Sequence, residues 1–329
     1  MNKLIGFEEE LISLLKSLKQ NTLANSILVS GSKGIGKSLF INTLIKEFIK
    51  SRVNHDKLNH HYSLLEKNIH PNISILKKEF DEKIKKIKNF IAIDQIRKLN
   101  QFSRETSIIN NLPKFILIDS ADDLNTNAAN ALLKILEEPK LNTYFFLLSH
   151  QPSVLLPTIK SRCVKIRLPT HNFTNFKNIL ISQNTSEDEE VIKFFFDITN
   201  GCPGLSSTYD LEKFLSIFDK LTYSIADFDS FSDNNKYLVD LFSNFSNEKL
   251  QIFLSILKFI LFTLAKVKHN INILDHYLSS NVKDILKVSD KMSIDLINKK
   301  LEYLINNEND LFTYNLDKKI FMINFFAEK

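Results

Sequence analysis

A glycine-rich stretch that ends in a lysine and a serine is the part of the sequence best suited to do chemistry. Residues 27–38 read ILVSGSKGIGKS and match the pattern G-x-x-x-x-G-K-[ST]. Glycines allow backbone N–H groups to approach phosphate oxygens, the lysine reaches the β- and γ-phosphates, and the serine hydroxyl helps to hold Mg²⁺. We therefore predict a phosphate-binding loop (P-loop) for ATP or ADP with Mg²⁺. Its residues are Gly31, Gly34, Gly36, Lys37 and Ser38.

A carboxylate that could share the metal ion ends a second apolar segment, KFILID, residues 114–119. Asp119 is the candidate that would hold Mg²⁺ through water. Hydrolysis also requires a group that activates the attacking water, and in many P-loop ATPases this is a glutamate directly after the aspartate. Here that residue is Ser120, which cannot accept a proton at neutral pH as a glutamate can. The sequence therefore predicts nucleotide binding with weak or absent hydrolysis. We interpret Asp122 and Asp123 as helix N-terminal charges.

The segments around these residues alternate between strand and helix patterns. Apolar strand patterns at SILVS, KFILID, TYFFLLS and SRCVKIRL are separated by amphipathic stretches such as NAANALLKILEEP, which Pro139 stops. This alternation predicts a parallel sheet covered by helices on both faces. After Pro169 the strand patterns largely stop and the sequence becomes helical in period, with a capping box predicted at Ser186 and Glu189. We therefore place a domain boundary near residues 168–170 and a weaker one near 215–230.

Composition and charge narrow the class of protein. Of the 329 residues, 43% are hydrophobic and 25% are charged, which is typical of a globular protein. Residues 1–168 carry 26 Lys and Arg against 16 Asp and Glu, whereas the rest carries 17 against 22. A polyanion such as a nucleic acid would therefore bind to the first half rather than the second. The two cysteines favour neither a disulfide framework nor a four-thiolate zinc site. The N-terminal residues do not read as a signal peptide, and the apolar stretch 253–267 is too short to span a bilayer. For these reasons we expect a cytoplasmic protein.

Residues 51–90 are polar and contain two features with open interpretations. Four histidines lack thiolates or carboxylates at ligand spacing, so we expect a solvated loop and no zinc; they are His55, His60, His61 and His70. A lysine run over residues 77–88 could contact DNA phosphates, but its helical period favours a solvated face. Its members are Lys77, Lys78, Lys83, Lys85, Lys86 and Lys88.

Two longer segments carry a family resemblance. DSADDLNTNAANALLKILEEP and TYFFLLSHQPSVLLPTIKSRC follow the P-loop in order, and together they resemble the AAA+ clamp loaders, among them the delta-prime subunits of bacterial DNA polymerase III. The resemblance is strong over residues 1–168. It continues more weakly through NGCPGL and the near-terminal YNLDKKIFMINFF. Several independent motifs in the same order make the resemblance specific.

The resemblance implies an architecture and a set of partners. The expected fold is an α/β P-loop AAA+ core (1–168) with a parallel sheet, a small helical lid (169–220) and an all-α collar that oligomerises (221–329). The implied hetero-oligomer is a ring of clamp-loader motor (gamma/tau) and delta subunits that places a sliding clamp on primed DNA. Arg162, in SRC, would be an arginine finger that reaches the γ-phosphate bound by a neighbouring subunit.

Departures from the family pattern favour one branch of it. Ser120 replaces the catalytic glutamate of the hydrolysing members, and Gly204 stands where they carry a lid arginine. Ser149 and His150 lie near the position of a polar γ-phosphate sensor, and Cys163 is expected to be a small buried residue. These features predict a delta-prime-like stator that donates Arg162. A motor subunit with its own ATPase activity remains the alternative, and a P-loop small-molecule kinase is disfavoured because it leaves SRC and the helical half unexplained.

Overall fold

The structure, a computed structural model, describes residues 4–82, 85–109, 111–186, 188–206, 211–225, 232–271, 279–313 and 316–327. The chain divides into two compact units, Met1–His171 and Asn172–Lys329.

The first unit alternates strands and helices, as the sequence predicts. A short 3-10 turn, Ala121–Asp123, follows β5. The strands are β1 Ser26–Ser30, β2 Ile73–Leu76, β3 Phe80–Asp81, β4 Lys86–Ile87, β5 Lys114–Ile118, β6 Thr143–Ser149 and β7 Val164–Arg167. The helices are α1 Glu8–Lys19, α2 Lys37–Arg52, α3 His55–Glu66, α4 Ile93–Arg104, α5 Thr126–Glu137 and α6 Pro157–Ser161.

Five strands form one parallel sheet in the order β2-β5-β6-β1-β7, and β3 pairs with β4 in a separate antiparallel hairpin. Every residue of β5 and β6 is buried, which explains why both strands read as continuous apolar runs rather than as alternating patterns. The carboxyl ends of β5, β6 and β1 are consecutive along the sheet. The residues that follow these three strands therefore meet at one edge, and the predicted parallel P-loop α/β core is confirmed.

Helix α5 shows how the local sequence fixes a covering helix. Its apolar residues recur at helical spacing, and Ala128, Leu132 and Ile135 are buried against the sheet core. The Asn125 side chain accepts a hydrogen bond from the Ala128 N–H at 2.8 Å, which satisfies one of the free donors at the helix start. The helix therefore starts at a fixed point just after the 3-10 turn.

Residues 51–90 do not form a solvated loop around the four histidines, and that expectation was wrong. They contain helix α3, the edge strand β2 and the β3–β4 hairpin. His61 and His70 are buried and paired, with Nδ1 of His61 3.0 Å from Nε2 of His70, whereas His55 and His60 are exposed. Within the described residues no group of histidines, cysteines and carboxylates is arranged to hold a metal ion. Lys83 of the lysine run lies outside the described residues.

One helix start also differs from the sequence prediction. Helix α8 is capped by Asp188, whose carboxylate accepts from the backbone N–H of Glu190 at 2.9 Å, and Ser186 instead accepts from the N–H of Asp188. The predicted Ser186–Glu189 box is therefore displaced by two residues.

The second unit is helical throughout its described residues. Among the described residues, a hydrophobic core includes buried side chains from Phe176 to Phe326. Helix α10 continues through residues 220–221, so a division there would fall inside a helix, and the lid and collar ranges stay predictions. The helices are α7 Phe173–Ser182, α8 Glu189–Thr199, α9 Pro203–Ser206, α10 Leu211–Ile225, α11 Asp233–Ser243, α12 Asn247–Lys268, α13 Ser279–Lys291, α14 Ile294–Thr313 and α15 Lys318–Ala327.

Helix α12 is longer than the apolar stretch predicted from sequence. Among the described residues, its segment Lys249–Lys268 alone is long and apolar enough, by length and composition, to cross a membrane. The length argument made from residues 253–267 was therefore wrong. Within this segment, 56% of the apolar 18-residue window is buried, as in the core helix of a globular unit.

Candidate nucleotide-binding site

The glycine loop lies between β1 and α2, where a phosphate loop must lie. Gly36 caps α2 with φ of 100°, a left-handed conformation that side chains other than glycine adopt with strain. Gly31 lies against β7, because an added Cβ would be 2.7 Å from the carbonyl oxygen of Leu168. The Nε2 of the buried His171 lies 3.1 Å from the carbonyl oxygen of Ile35 and is placed to donate to it. The close approach of Gly31 to Leu168 and the contact between His171 and Ile35 therefore fix the position of the loop.

The side chain of Lys37 folds back over the loop and is 4% exposed. Its Nζ donates to the carbonyl oxygens of Gly31 at 2.7 Å and Ser32 at 2.9 Å, and it lies 2.6 Å from Nδ1 of His150. The ammonium group is thus held among loop oxygens and one imidazole at the end of β6.

Ser38 and Asp119 are brought together at the same edge of the sheet, since their side chains are hydrogen-bonded. Burial raises the pKa of Asp119 above its ordinary value, and the Ser38 hydrogen bond together with the charges of Lys37 and Lys77 opposes this shift. A hydroxyl and a carboxylate are the hard oxygen ligands that Mg²⁺ prefers. The residues present therefore fit a magnesium-nucleotide site, in which the ion would neutralise phosphate charge.

Asp122 ties the 3-10 turn to the end of β6. Its Oδ1 accepts from the Ser149 hydroxyl at 2.6 Å, and its Oδ2 accepts from the backbone N–H groups of His150 at 2.5 Å and Gln151 at 3.3 Å. This carboxylate is therefore a structural anchor rather than a simple helix N-terminal charge. Asp123 is likewise engaged, by Lys78 at 3.0 Å.

Ser120 belongs to the same anchor. It is buried, its hydroxyl donates to Oδ2 of Asp122 at 3.0 Å, and it accepts from the N–H of Asp122 at 3.3 Å. The residue directly after Asp119 therefore caps the turn.

His150 contributes the imidazole that contacts the loop lysine. Burial and the positive charge of Lys37 lower its pKa to about 4, and Asp122 opposes this shift. The ring is therefore neutral near pH 7. Sequence reasoning placed His150 near the sensor position but did not find its contact with Lys37, because the two residues are 113 positions apart.

Arg162 lies at the end of α6 and contacts α6 and α5 rather than the loop. Its Nη2 is 2.5 Å from Oε1 of Glu137, and its Nη1 donates to the Thr158 carbonyl oxygen at 2.9 Å. The side chain is 34% exposed. Cys163 beside it is buried, as expected, and burial raises the pKa of its thiol to about 11, so it is an unreactive thiol.

Comparisons with known proteins agree with the sequence motifs. The family model described as DNA polymerase III, delta subunit, matches residues 7–172. DNA polymerase III subunit delta′ of Pseudomonas aeruginosa is 39% identical over 140 residues, which cover 43% of this chain and 40% of that protein. The subunit delta′ of Bacillus subtilis is 30% identical over 175 residues, covering 53% and 50%. The chain thus spans half or less of the length of these relatives.

A gamma subunit-related protein of DNA polymerase III from Thermotoga maritima aligns over 95% of this chain and 97% of its own length, with 16% identity and a TM-score of 0.46. The family model covers half of the chain, including the P-loop, Asp119 and the SRC segment. With the relatives named delta′, this coverage means that the chain belongs to the DNA polymerase III delta-prime clamp-loader family.

Proposed function

We propose that this chain is the delta-prime subunit of a bacterial clamp loader that helps to place a sliding clamp on primed DNA. Family membership supports this role, as do relatives named subunit delta′ from several bacteria. Its partners would be the motor (gamma/tau) and delta subunits in a cytoplasmic hetero-oligomer. The helical second unit would supply the lid and the oligomerising collar.

We further propose that the chain holds ATP or ADP with Mg²⁺ but hydrolyses it poorly, and so acts as a stator. Lys37 and the Ser38–Asp119 pair supply the binding groups. The observation that carries the proposal is Ser120, whose hydroxyl is engaged with Asp122 and whose side chain cannot serve as a general base. The site therefore has the groups that hold phosphate and lacks one that activates water next to Asp119.

Arg162 would act on the nucleotide of a neighbouring subunit. It is partly exposed at a helix end, and its guanidinium is held by one carboxylate and one carbonyl oxygen. Permanent charge and a planar fork suit it to the γ-phosphate as negative charge develops during hydrolysis. To reach that phosphate, the guanidinium would have to leave Glu137.

The test uses the reconstituted complex with Arg162→Ala and, as matched control, Arg167→Ala, an exposed arginine on β7. We expect Arg162→Ala to lower turnover at the site it serves by about 10³-fold or more, with normal assembly and circular dichroism. The control should keep wild-type turnover. Unchanged turnover in the Arg162→Ala complex would refute the role in trans.

The motor-subunit alternative is favoured by the intact P-loop and by the Ser38–Asp119 contact. A steady-state ATPase measurement on the isolated full chain separates the two functions. We expect turnover no greater than that of a Lys37→Met variant, whereas robust turnover that Lys37→Met abolishes would establish the motor instead.

A further inference from the structure

The contact between Lys37 and His150 fixes the protonation state of the imidazole. An ammonium group can only donate hydrogen bonds, so Nδ1 of His150, 2.6 Å away, must present its lone pair. The ring is then the neutral form with its proton on Nε2. The backbone of His150 is meanwhile anchored to Asp122. The ring is therefore held at one place, facing the lysine.

Phosphate binding must change this arrangement. Lys37 currently donates to the carbonyl oxygens of Gly31 and Ser32 and to His150. To contact a β- or γ-phosphate the ammonium group has to leave at least part of this set, and a polyanion then occupies the space beside the loop. The charge that His150 faces would change from positive to negative.

We propose that His150 takes up a proton from solvent when nucleotide phosphates draw Lys37 away from it, and that the imidazolium then helps to hold the terminal phosphate. This inference rests on the proposed nucleotide binding. It assigns His150 as a proton-linked positioning residue, with a nucleoside di- or triphosphate as the ligand that triggers protonation.

The charged groups around the ring agree with this direction. Lys37 and Lys33 from the loop side and Lys78 from the segment after β2 disfavour the imidazolium, and Asp122 from the 3-10 turn favours it. Asp122 stays in place, because it is anchored to the backbone of His150 and Gln151. When nucleotide binds, Lys37 moves away from His150 and phosphate charge comes near it. Both changes raise the pKa of His150 from its value of about 4 in the free protein.

The first arm of the test needs no nucleotide. Histidine-labelled full chain is titrated by NMR, and the His150 signal among eight histidines is assigned with His150→Gln. We expect a pKa near 4 in the wild type and a clear rise toward 6.5 in Lys37→Met, which keeps side-chain length without the charge. Lys33→Met removes an exposed cation that lowers the pKa of His150 less than Lys37 does, so it should raise that pKa by a smaller amount. An equal pKa in wild type and Lys37→Met would overturn the proposal.

The second arm measures protons directly. Calorimetric titration of the full chain with MgADP at pH 7, in buffers of different ionisation enthalpy, gives the number of protons taken up on binding. We expect the wild type to take up about 0.5 to 1 proton more than His150→Gln. Protons exchanged by MgADP itself are the same in both titrations. Because the protein takes up a proton on binding, the wild-type affinity for MgADP should also strengthen as pH falls from 8 to 6, by up to about tenfold per pH unit.

The outcomes separate the inference from the proposed function. Binding with equal proton uptake in wild type and His150→Gln would overturn the inference and leave nucleotide binding intact. Absence of MgADP and MgATP binding to the wild type would overturn both. Proton uptake that is larger in the wild type than in His150→Gln, together with a higher pKa of His150 in Lys37→Met, would support both.

Discussion

Glu137 offers the sharpest test of how Arg162 is held. The ion pair joins side chains that are 34% and 48% exposed, and exposed pairs of this kind contribute about 0.2 to 1 kcal/mol. If Arg162 must leave Glu137 to reach a phosphate of the next subunit, breaking the pair costs at most about 1 kcal/mol. That free energy corresponds to a rate factor of about five.

Glu137→Gln removes the charge and keeps the side-chain shape. The bond from Arg162 to the Thr158 carbonyl oxygen, 2.9 Å long, does not involve Glu137 and should persist. We therefore expect turnover by the reconstituted complex to rise by no more than about fivefold over wild type. Since salt screens exposed charges, the difference should shrink as ionic strength increases.

The assay is steady-state ATP hydrolysis by the complex with clamp and primed DNA, at low and high salt. Glu138→Gln, at the adjacent exposed carboxylate, is the matched control and should leave turnover unchanged. If turnover instead fell about tenfold or more in Glu137→Gln, Glu137 would be required to aim Arg162, and the weak-pair explanation would be wrong.

Three further predictions concern the first unit. Gly31→Ala should weaken MgADP binding about tenfold or more, measured by calorimetry, because its Cβ would meet the Leu168 carbonyl oxygen at 2.7 Å; wild-type affinity would contradict this. Lowering pH from 7 to 5 should destabilise the wild type about 2 kcal/mol more than His70→Gln in urea unfolding. Burial lowers the folded pKa of His70 to about 4, so the unfolded chain gains the proton first as pH falls below 6.5. Equal losses of unfolding free energy in the wild type and in His70→Gln would refute this. Ser120→Glu should not create ATPase activity in the isolated chain and should lower its melting temperature, because the buried hydroxyl caps the Asp122 turn; a gain of turnover would contradict this.

The sequence predicted those parts of the first unit that depend on local pattern. β1, β5 and β6 are buried on both faces, so they read as unbroken apolar runs, and the glycines between β1 and α2 mark the loop. β2 was missed because its four residues are mostly half-exposed and give no such run. α3 was missed because it has few buried apolar residues, among them Leu58.

The contacts that shape the site depend on distant residues and could not be predicted from local pattern. Asp122 accepts from Ser149 and His150, which lie 27 and 28 positions away in the sequence. The His61–His70 pair arises only because α3 leads back to the edge strand β2. The motifs named Ser38 and Asp119 as candidate Mg²⁺ ligands but gave no contact between them. The structure brings their side chains together, since parallel strands share one carboxyl edge.

The Asp122 anchor connects the geometry of the site to the proposed stator. Its carboxylate joins the turn after β5 to the end of β6, and the adjacent strand β1 leads into the loop whose lysine contacts His150. Ser120 is part of this anchor, so the position where a hydrolysing relative needs a free carboxylate is here used to hold two strand ends together. In the proposed stator, this edge would hold a nucleotide and change the charge on His150, while Ser120 beside Asp119 offers no general base. On the proposed function, the side chain left to promote hydrolysis is Arg162, which contacts α5 and α6 and is exposed enough to reach another subunit.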